Sequence, residues 1–412
     1  MSPLAPHVNM RTNMQITSFA LVGSLGTDAC AVSITCSVDA SKPFGLKVVG
    51  VSEVQRKEIA VRVHSALSSC GHELPKGLIT VTVDAKGAKA QASALDLPIA
   101  LAILGVDASG LLVAGELGLD GAARPVRGIT QATLLAQSLG LRGVLVPAQN
   151  AREAHEVSDG KLAVHALAHL SQLDRVLAAP EKRPEPPHPM RSHPDFSDVR
   201  GQEEAIAVVI KSVQSRAGLL LSGSPGAGKT MIARRIASVM PKMDRDEQIA
   251  VTKMYSAIGI ASGLATDRPF RAPHHTISSA ALAGGGSSPR PGEVQLAAHG
   301  VLFLDELTEF SQLALDAIAS ALEALPADSR PLIVAASNAC ACGWRGSENP
   351  QRKCSCSDAA IASYAARLNR ATAKLRITNV AMLQSISFEV LRGPAGESSA
   401  SIADRIAGQA PA

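Results

Sequence analysis

The eight residues Gly223-Ser224-Pro225-Gly226-Ala227-Gly228-Lys229-Thr230 restrict what this chain can become more than any other feature. The spacing G-x4-G-K-T lets successive backbone N–H groups surround phosphate oxygens, because the glycines remove side chains that would block approach. Just before it stands Leu219-Leu220-Leu221, the apolar run of a buried strand. From about Lys229 to Val239 the pattern predicts an amphipathic helix whose positive amino end adds to the same site. A chance glycine turn would lack both neighbours. Lys229 is expected to reach the outer phosphates of ATP, and Thr230 to ligate Mg2+.

Two further apolar runs end in polar residues: Val301-Leu302-Phe303-Leu304 before Asp305-Glu306, and Leu332-Ile333-Val334-Ala335-Ala336 before Ser337-Asn338. Continuous apolar strands separated by helices imply a parallel sheet covered on both faces, with the ligand at the carboxyl ends of the strands. A strand end is where Asp305 can hold the Mg2+ shell and Glu306 can polarise an attacking water. Alone, an apolar run followed by Asp-Glu is often a strand entering a solvated turn; downstream of a phosphate loop it carries more. Asn338 is expected to orient that water or sense the terminal phosphate, and without this context it would read as an Asx turn.

The 412 residues, 46% of them hydrophobic, exceed what one core can serve, so at least two domains are expected. Prolines crowd Ala179-Pro180-Glu181-Lys182-Arg183-Pro184-Glu185-Pro186-Pro187-His188-Pro189 and favour an extended spacer there. The expected division is a first domain over 1–178, a linker over 179–195, the nucleotide-binding domain over 196–372 and a diverged or truncated tail over 373–412. Upstream of the linker, strand-like Gly77–Val83 and Gly143–Val146 alternate with helical stretches at Lys57–Ser69 and Thr130–Leu139, giving a second α/β unit. Aromatic residues make up only 2%, so base stacking cannot dominate any nucleic-acid contact, and a net charge of +4 neither requires nor excludes such a partner. The sequence lacks a secretory-signal pattern and any apolar run long enough for a membrane span, so a cytoplasmic location is expected.

Asp195 to Gln202, the phosphate loop, Arg268-Pro269-Phe270-Arg271-Ala272-Pro273-His274-His275-Thr276, and Gly284-Gly285-Gly286 through Pro291-Gly292-Glu293 to Glu306 together resemble the magnesium-chelatase-like AAA+ proteins, in the bacterial ComM (YifB) group. In the first half, Asp96-Leu97-Pro98-Ile99-Ala100, Gly115-Glu116-Leu117-Gly118-Leu119-Asp120-Gly121 and Val146-Pro147-Ala148-Gln149-Asn150 are similar to the group's amino-terminal domain, which shares the fold of the Lon protease domain. The resemblance covers roughly residues 15 to 360. It implies a hexameric ring driven by ATP hydrolysis, similar to DNA branch-migration motors that serve recombination or natural transformation. Around Lys89 and Ser93 there is no Gly-Pro-Ser-Ala-Gly-like turn, so a Ser–Lys peptidase is not expected and this half reads as a scaffold or a substrate-binding collar.

Four of the seven cysteines form two pairs, Cys340-Ala341-Cys342 and Cys354-Ser355-Cys356, eleven residues apart. Four thiolates on a turn-rich loop suit a closed, structural Zn2+ site; four free thiols on a surface loop are the alternative. His274 and His275, being adjacent, point apart on a regular element and are not expected to share a metal; their block reads as a pore or subunit-contact loop or as a packed turn. Two departures from the family pattern stand out. Between Leu322 and Leu332 the expected pore hairpin is replaced by a short connection, which weakens DNA threading. Beyond Cys356 the family's trans-acting arginine and helical lid are not evident, leaving Arg370 and Arg376 as candidates and making ATP binding safer than fast hydrolysis. A chelatase-type metal-insertion subunit and a hydrolysis-deficient regulatory module are the competing functions.

Overall fold

The computed structural model describes residues 15–23, 25–87, 92–182, 193–285, 290–346 and 352–408. Most of the proline spacer, Gly286, and the side chain of Ser93 lie outside the described residues. The chain divides into two compact units, Met1–Pro186 with Thr252–Leu264, and Pro187–Val251 with Ala265–Ala412.

The first unit is a mixed sheet with helices. Its strands are β1 (Gln15–Val22), β2 (Asp28–Asp39), β3 (Gly45–Val49), β4 (Leu78–Asp84), β5 (Leu111–Val113), the short pair β6 (Glu116–Leu117) and β7 (Ala123–Arg124), β8 (Gly143–Pro147) and β9 (Ala163–Leu167). The main sheet runs β3-β4-β2-β1-β5-β8-β9. β2 pairs antiparallel with β1 and β4, while β1, β5, β8 and β9 run parallel. Side chains alternate between the two faces of a strand. Thus β1 sends Ile16 and Ala20 to one core and Phe19 to the other, and β8 splits Leu145 from Val144 and Val146 in the same way. The helix Glu53–Ser69 begins at a capping box in which Ser52 and Gln55 bond reciprocally, and it buries Ile59, Val63 and Leu67 in the first core.

Thr252–Leu264 corrects the expected boundary. The sequence reading assigned it to the nucleotide domain, yet it packs in the first unit. The reason is a buried polar network. Glu153 accepts hydrogen bonds from Thr130 N (2.8 Å) and Thr130 Oγ1 (2.7 Å), Ser256 Oγ lies 3.2 Å from Thr130 N, and Gln131 Nε2 donates to the Lys253 carbonyl at 2.9 Å. Burial raises the pKa of Glu153, against these hydrogen bonds. Buried polar groups must find partners, and residues 252–264 bring them.

In the second unit, β10 (Gly218–Gly223), β11 (Phe270–Arg271), β12 (Val301–Leu304), β13 (Leu332–Ser337) and β14 (Ile377–Leu383) form a parallel sheet in the order β11-β12-β13-β10-β14. Both faces are covered. Leu219, Leu221, Val301, Phe303 and Val334 enter one core with Ile232 and Ile236 of the helix Lys229–Val239; Leu220, Leu302, Leu304 and Ile333 enter the other with Leu315 and Ile318 of the helix Gln312–Ala324. That double burial is why these strands read as unbroken apolar runs.

Residues after 372, expected above to form a tail, instead complete this sheet. β14 pairs with β10 from Gly218↔Ile377 to Gly223↔Leu383. The helix Ser399–Gly408 then buries Ile402 and Ile406 in the core shared with the phosphate-loop strand. Between Leu325 and Leu332 the connection is a compact turn in which Ser329 N donates to the Pro326 carbonyl at 3.0 Å.

Candidate nucleotide site

Parallel order places the carboxyl ends of β10, β12 and β13 side by side, so three segments far apart in sequence meet at one edge. From β10 the chain turns through Gly226 (φ +83°) and Gly228 (φ +92°), a backbone region that side chains with a Cβ rarely adopt, and enters the helix Lys229–Val239 with Gly228 as its N-cap. Lys229 Nζ donates to the carbonyls of Gly223 (2.8 Å) and Ser224 (3.0 Å) and to Asn338 Oδ1 (3.0 Å) at the end of β13. Its pKa is lowered by burial, against the pull of the Asp305 and Glu306 charges. Thr230 Oγ1 donates to Asp305 Oδ2 at 2.9 Å. Glu306 N donates to Asp305 Oδ1 at 3.0 Å, and Glu306 itself turns into left-handed backbone at φ +51° with its side chain 61% exposed.

These contacts bring together Lys229, Thr230, Asp305, Glu306 and Asn338 around one loop. The donor set suits a triphosphate with Mg2+: a hydroxyl and a carboxylate oxygen 2.9 Å apart at a helix amino end, with an ammonium beside them. Sequence reasoning missed three neighbours. His275 Nδ1 stands 3.7 Å from Glu306 Oε2, its ring 4.1 Å from that of His274 and 6.4 Å from Phe310. Gln202 Nε2 donates to the carbonyls of Ala227 (3.4 Å) and Gln384 (2.9 Å), and Ser385 Oγ lies 2.9 Å from Ser224 Oγ. No local pattern marks these residues, because each contact joins segments set together only by the sheet order.

Two family models match the chain, "Magnesium chelatase, subunit ChlI" over residues 195–384 and "Subunit ChlI of Mg-chelatase" over residues 34–150. The chain belongs to the magnesium-chelatase-like AAA+ family. Among its relatives, an uncharacterised protein of Mycobacterium tuberculosis is 37% identical over 320 residues, covering 72% of this chain and 62% of the relative. The competence protein ComM of Haemophilus influenzae is 35% identical over 334 residues, 77% of this chain and 64% of the relative. The chain thus spans somewhat under two thirds of the length of the relatives it matches. A 47-residue stretch is 43% identical to an archaeal Lon protease of Methanothermobacter thermautotrophicus, covering 11% of this chain and 7% of that protein.

The family's Arg268 and Arg271 block is held down by hydrogen bonds. Arg268 pairs with Glu247 (3.1 Å) and donates to the carbonyls of Pro241 and His299; Arg271 forms a two-pronged pair with Glu293 at 2.7 Å on each arm. Such paired guanidinium groups organise the turn that carries His275 to Glu306. Arg376 lies before β14, at the amino end of the strands, and pairs with Glu323 at 3.3 Å; Arg370 is exposed on the helix Asp358–Lys374. Neither lies at the carboxyl edge that carries this chain's own phosphate loop.

The four cysteines converge. Their sulfurs all lie within 4.8 Å of one another, with Cys340–Cys342 at 3.4 Å, Cys340–Cys354 at 3.7 Å and Cys342–Cys354 at 3.6 Å. A tetrahedral Zn2+ with Zn–S bonds of about 2.3 Å sets its sulfurs about 3.8 Å apart, so the set fits. Backbone N–H groups of Trp344 and Ser355 lower the Cys342 thiol to about 6, whereas desolvation and the neighbouring sulfurs raise Cys354 to about 11, so the four thiols share their protons unevenly. Among the described residues no helix is long and apolar enough to cross a membrane.

Proposed function

We propose that the chain binds ATP with Mg2+ at the edge formed by Gly223–Thr230, Asp305, Glu306 and Asn338, and hydrolyses it to drive remodelling of DNA within a homo-oligomeric ring. The observation that carries this reading is the Thr230 Oγ1–Asp305 Oδ2 hydrogen bond of 2.9 Å beside the Lys229 ammonium. In this reading the backbone N–H groups of Gly226 to Thr230 hold the phosphates, and Lys229 exchanges its loop carbonyls for phosphate oxygens. Thr230 and Asp305 hold the Mg2+, which offsets phosphate charge when bound. Glu306 takes the proton of the attacking water, and Asn338 orients that water or contacts the terminal phosphate. A structural Zn2+ on Cys340, Cys342, Cys354 and Cys356 stabilises the loop after Asn338.

Family membership supports the ATPase reading, and DNA as substrate rests on the group resemblance alone. Phosphate release from ATP, measured on the purified chain with and without branched DNA, tests it. Stimulation by DNA supports the motor; DNA-independent turnover favours a chelatase-type metal-insertion subunit; no release in any condition favours a nucleotide-binding regulatory module. That last reading draws on the compact 325–331 connection and on Arg376 being paired with Glu323. For nucleotide binding itself, Lys229→Ala is expected to weaken uptake of a fluorescent ATP analogue by about one to two powers of ten, the effect of removing a charge-assisted hydrogen bond. Unchanged uptake would refute the site.

A further inference from the structure

The thiol cluster and the phosphate loop are physically joined. Gly343, between the two cysteine pairs, sits so close to the loop that a Cβ added there would lie 2.8 Å from Pro225 Cγ and 2.9 Å from Pro225 Cδ, and its φ is +84°. Its N–H donates to the Cys340 carbonyl at 3.0 Å, so the turn that carries the first cysteine pair is the surface against which Pro225 rests. On the other side, only Asn338 and Ala339 separate β13 from Cys340, a span of about 10 Å from Ser337 to Cys340 at full extension, and Asn338 Oδ1 accepts from Lys229 Nζ. Cys340 is fully buried, which fixes this tether at its far end.

We propose that a metal ion held by Cys340, Cys342, Cys354 and Cys356 is thermodynamically linked to nucleotide binding, through Gly343 against Pro225 and through Asn338 against Lys229. The proposal rests on the nucleotide-site reading above. Four metal–sulfur bonds tie the turn Cys340–Gly343 to Cys354 and Cys356 and thereby hold both contacts in place. Without the metal, the loop, Pro225 and Asn338 gain freedom that nucleotide must then remove. Linkage is reciprocal: whatever factor zinc adds to nucleotide affinity, nucleotide adds to zinc affinity.

The test measures release of zinc from the intact chain to a chromogenic chelator, with and without ATP and Mg2+, beside nucleotide affinity in the zinc-loaded and zinc-stripped protein. Nucleotide is expected to tighten zinc about 5-fold or more, and zinc to tighten nucleotide by the same factor. Lys229→Ala serves as the control for chelation by ATP in solution, and in it ATP is expected to leave zinc release unchanged. Gly343→Ala keeps all four thiols and is expected to bind one zinc per chain while losing most of the mutual effect. Equal nucleotide affinity with and without zinc would overturn the linkage and leave the nucleotide site standing. Absence of nucleotide binding in both forms would overturn both. Loss of nucleotide binding on stripping that is not restored when zinc is added back would mark unfolding in place of reversible coupling, and it too would overturn the proposal.

Discussion

Lys229 has three oxygen partners within 3.0 Å, two from its own loop and one from Asn338, so its ammonium is held beside the phosphate loop by groups that a phosphate can replace. Glu306 is different: it is exposed, sits in left-handed backbone, and lies 3.7 Å from a histidine nitrogen. A group that acts only on the attacking water contributes to rate and not to nucleotide affinity. Glu306→Gln is therefore expected to retain ATP affinity while phosphate release falls by about 10²- to 10⁴-fold, the contribution of a positioned general base. Parallel binding and turnover assays decide it, and an affinity loss equal to the rate loss would remove Glu306 from that role. Gly228 and Asp305 were legible as site candidates because their signals are local: a glycine turn, then a carboxylate at the end of an apolar run. The approach of His275 to Glu306 was not, since it joins two segments that only the pairing of β11 with β12 sets side by side.

Among elements, β14 departs most from the sequence reading. Its pattern buries Ile377, Asn379, Ala381 and Leu383 while exposing Thr378, Val380 and Met382, so it lacks the unbroken apolar signature of β10, β12 and β13. An edge strand with one covered face does not announce itself beside three fully buried ones. The helix Ser399–Gly408 likewise reads as a Ser/Ala-rich end, although Ile402 is wholly buried and Ile406 nearly so. Ile402→Ala is expected to cost about 2–5 kcal/mol, the usual range for truncating a buried aliphatic side chain. Denaturant unfolding of the second unit measures this, and a cost below about 0.5 kcal/mol, typical of surface changes, would mean that the helix does not belong to that core.

For the molecule as a whole, the first unit includes a segment, Thr252–Leu264, that follows Pro187–Val251 of the second unit in the chain. A fragment ending at Pro186 lacks Ser256 beside Thr130 and Glu153, and it lacks the Lys253 carbonyl that receives Gln131. Leaving a buried polar group unsatisfied costs about 1–3 kcal/mol. Such a fragment is expected to melt at a lower temperature than the same unit in the intact chain, with amides of the helix Ile129–Ser138 exchanging faster. Equal melting and exchange would show that residues 252–264 are not part of the folded unit.

By itself the sequence determined the phosphate loop, the three buried strands that feed polar residues to one edge, the alternation of strands and helices in both halves, and the cysteine spacing. Each of these is set within a few residues, by glycine backbone freedom, by side-chain period or by ligand chemistry. Tertiary structure alone decided that β14 lies against β10, that Thr252–Leu264 belongs with the first unit, that His275 faces Glu306 and that Gly343 rests on Pro225. Contacts between segments so distant in the chain arise from the sum of many weak burial terms, and no local pattern records that sum.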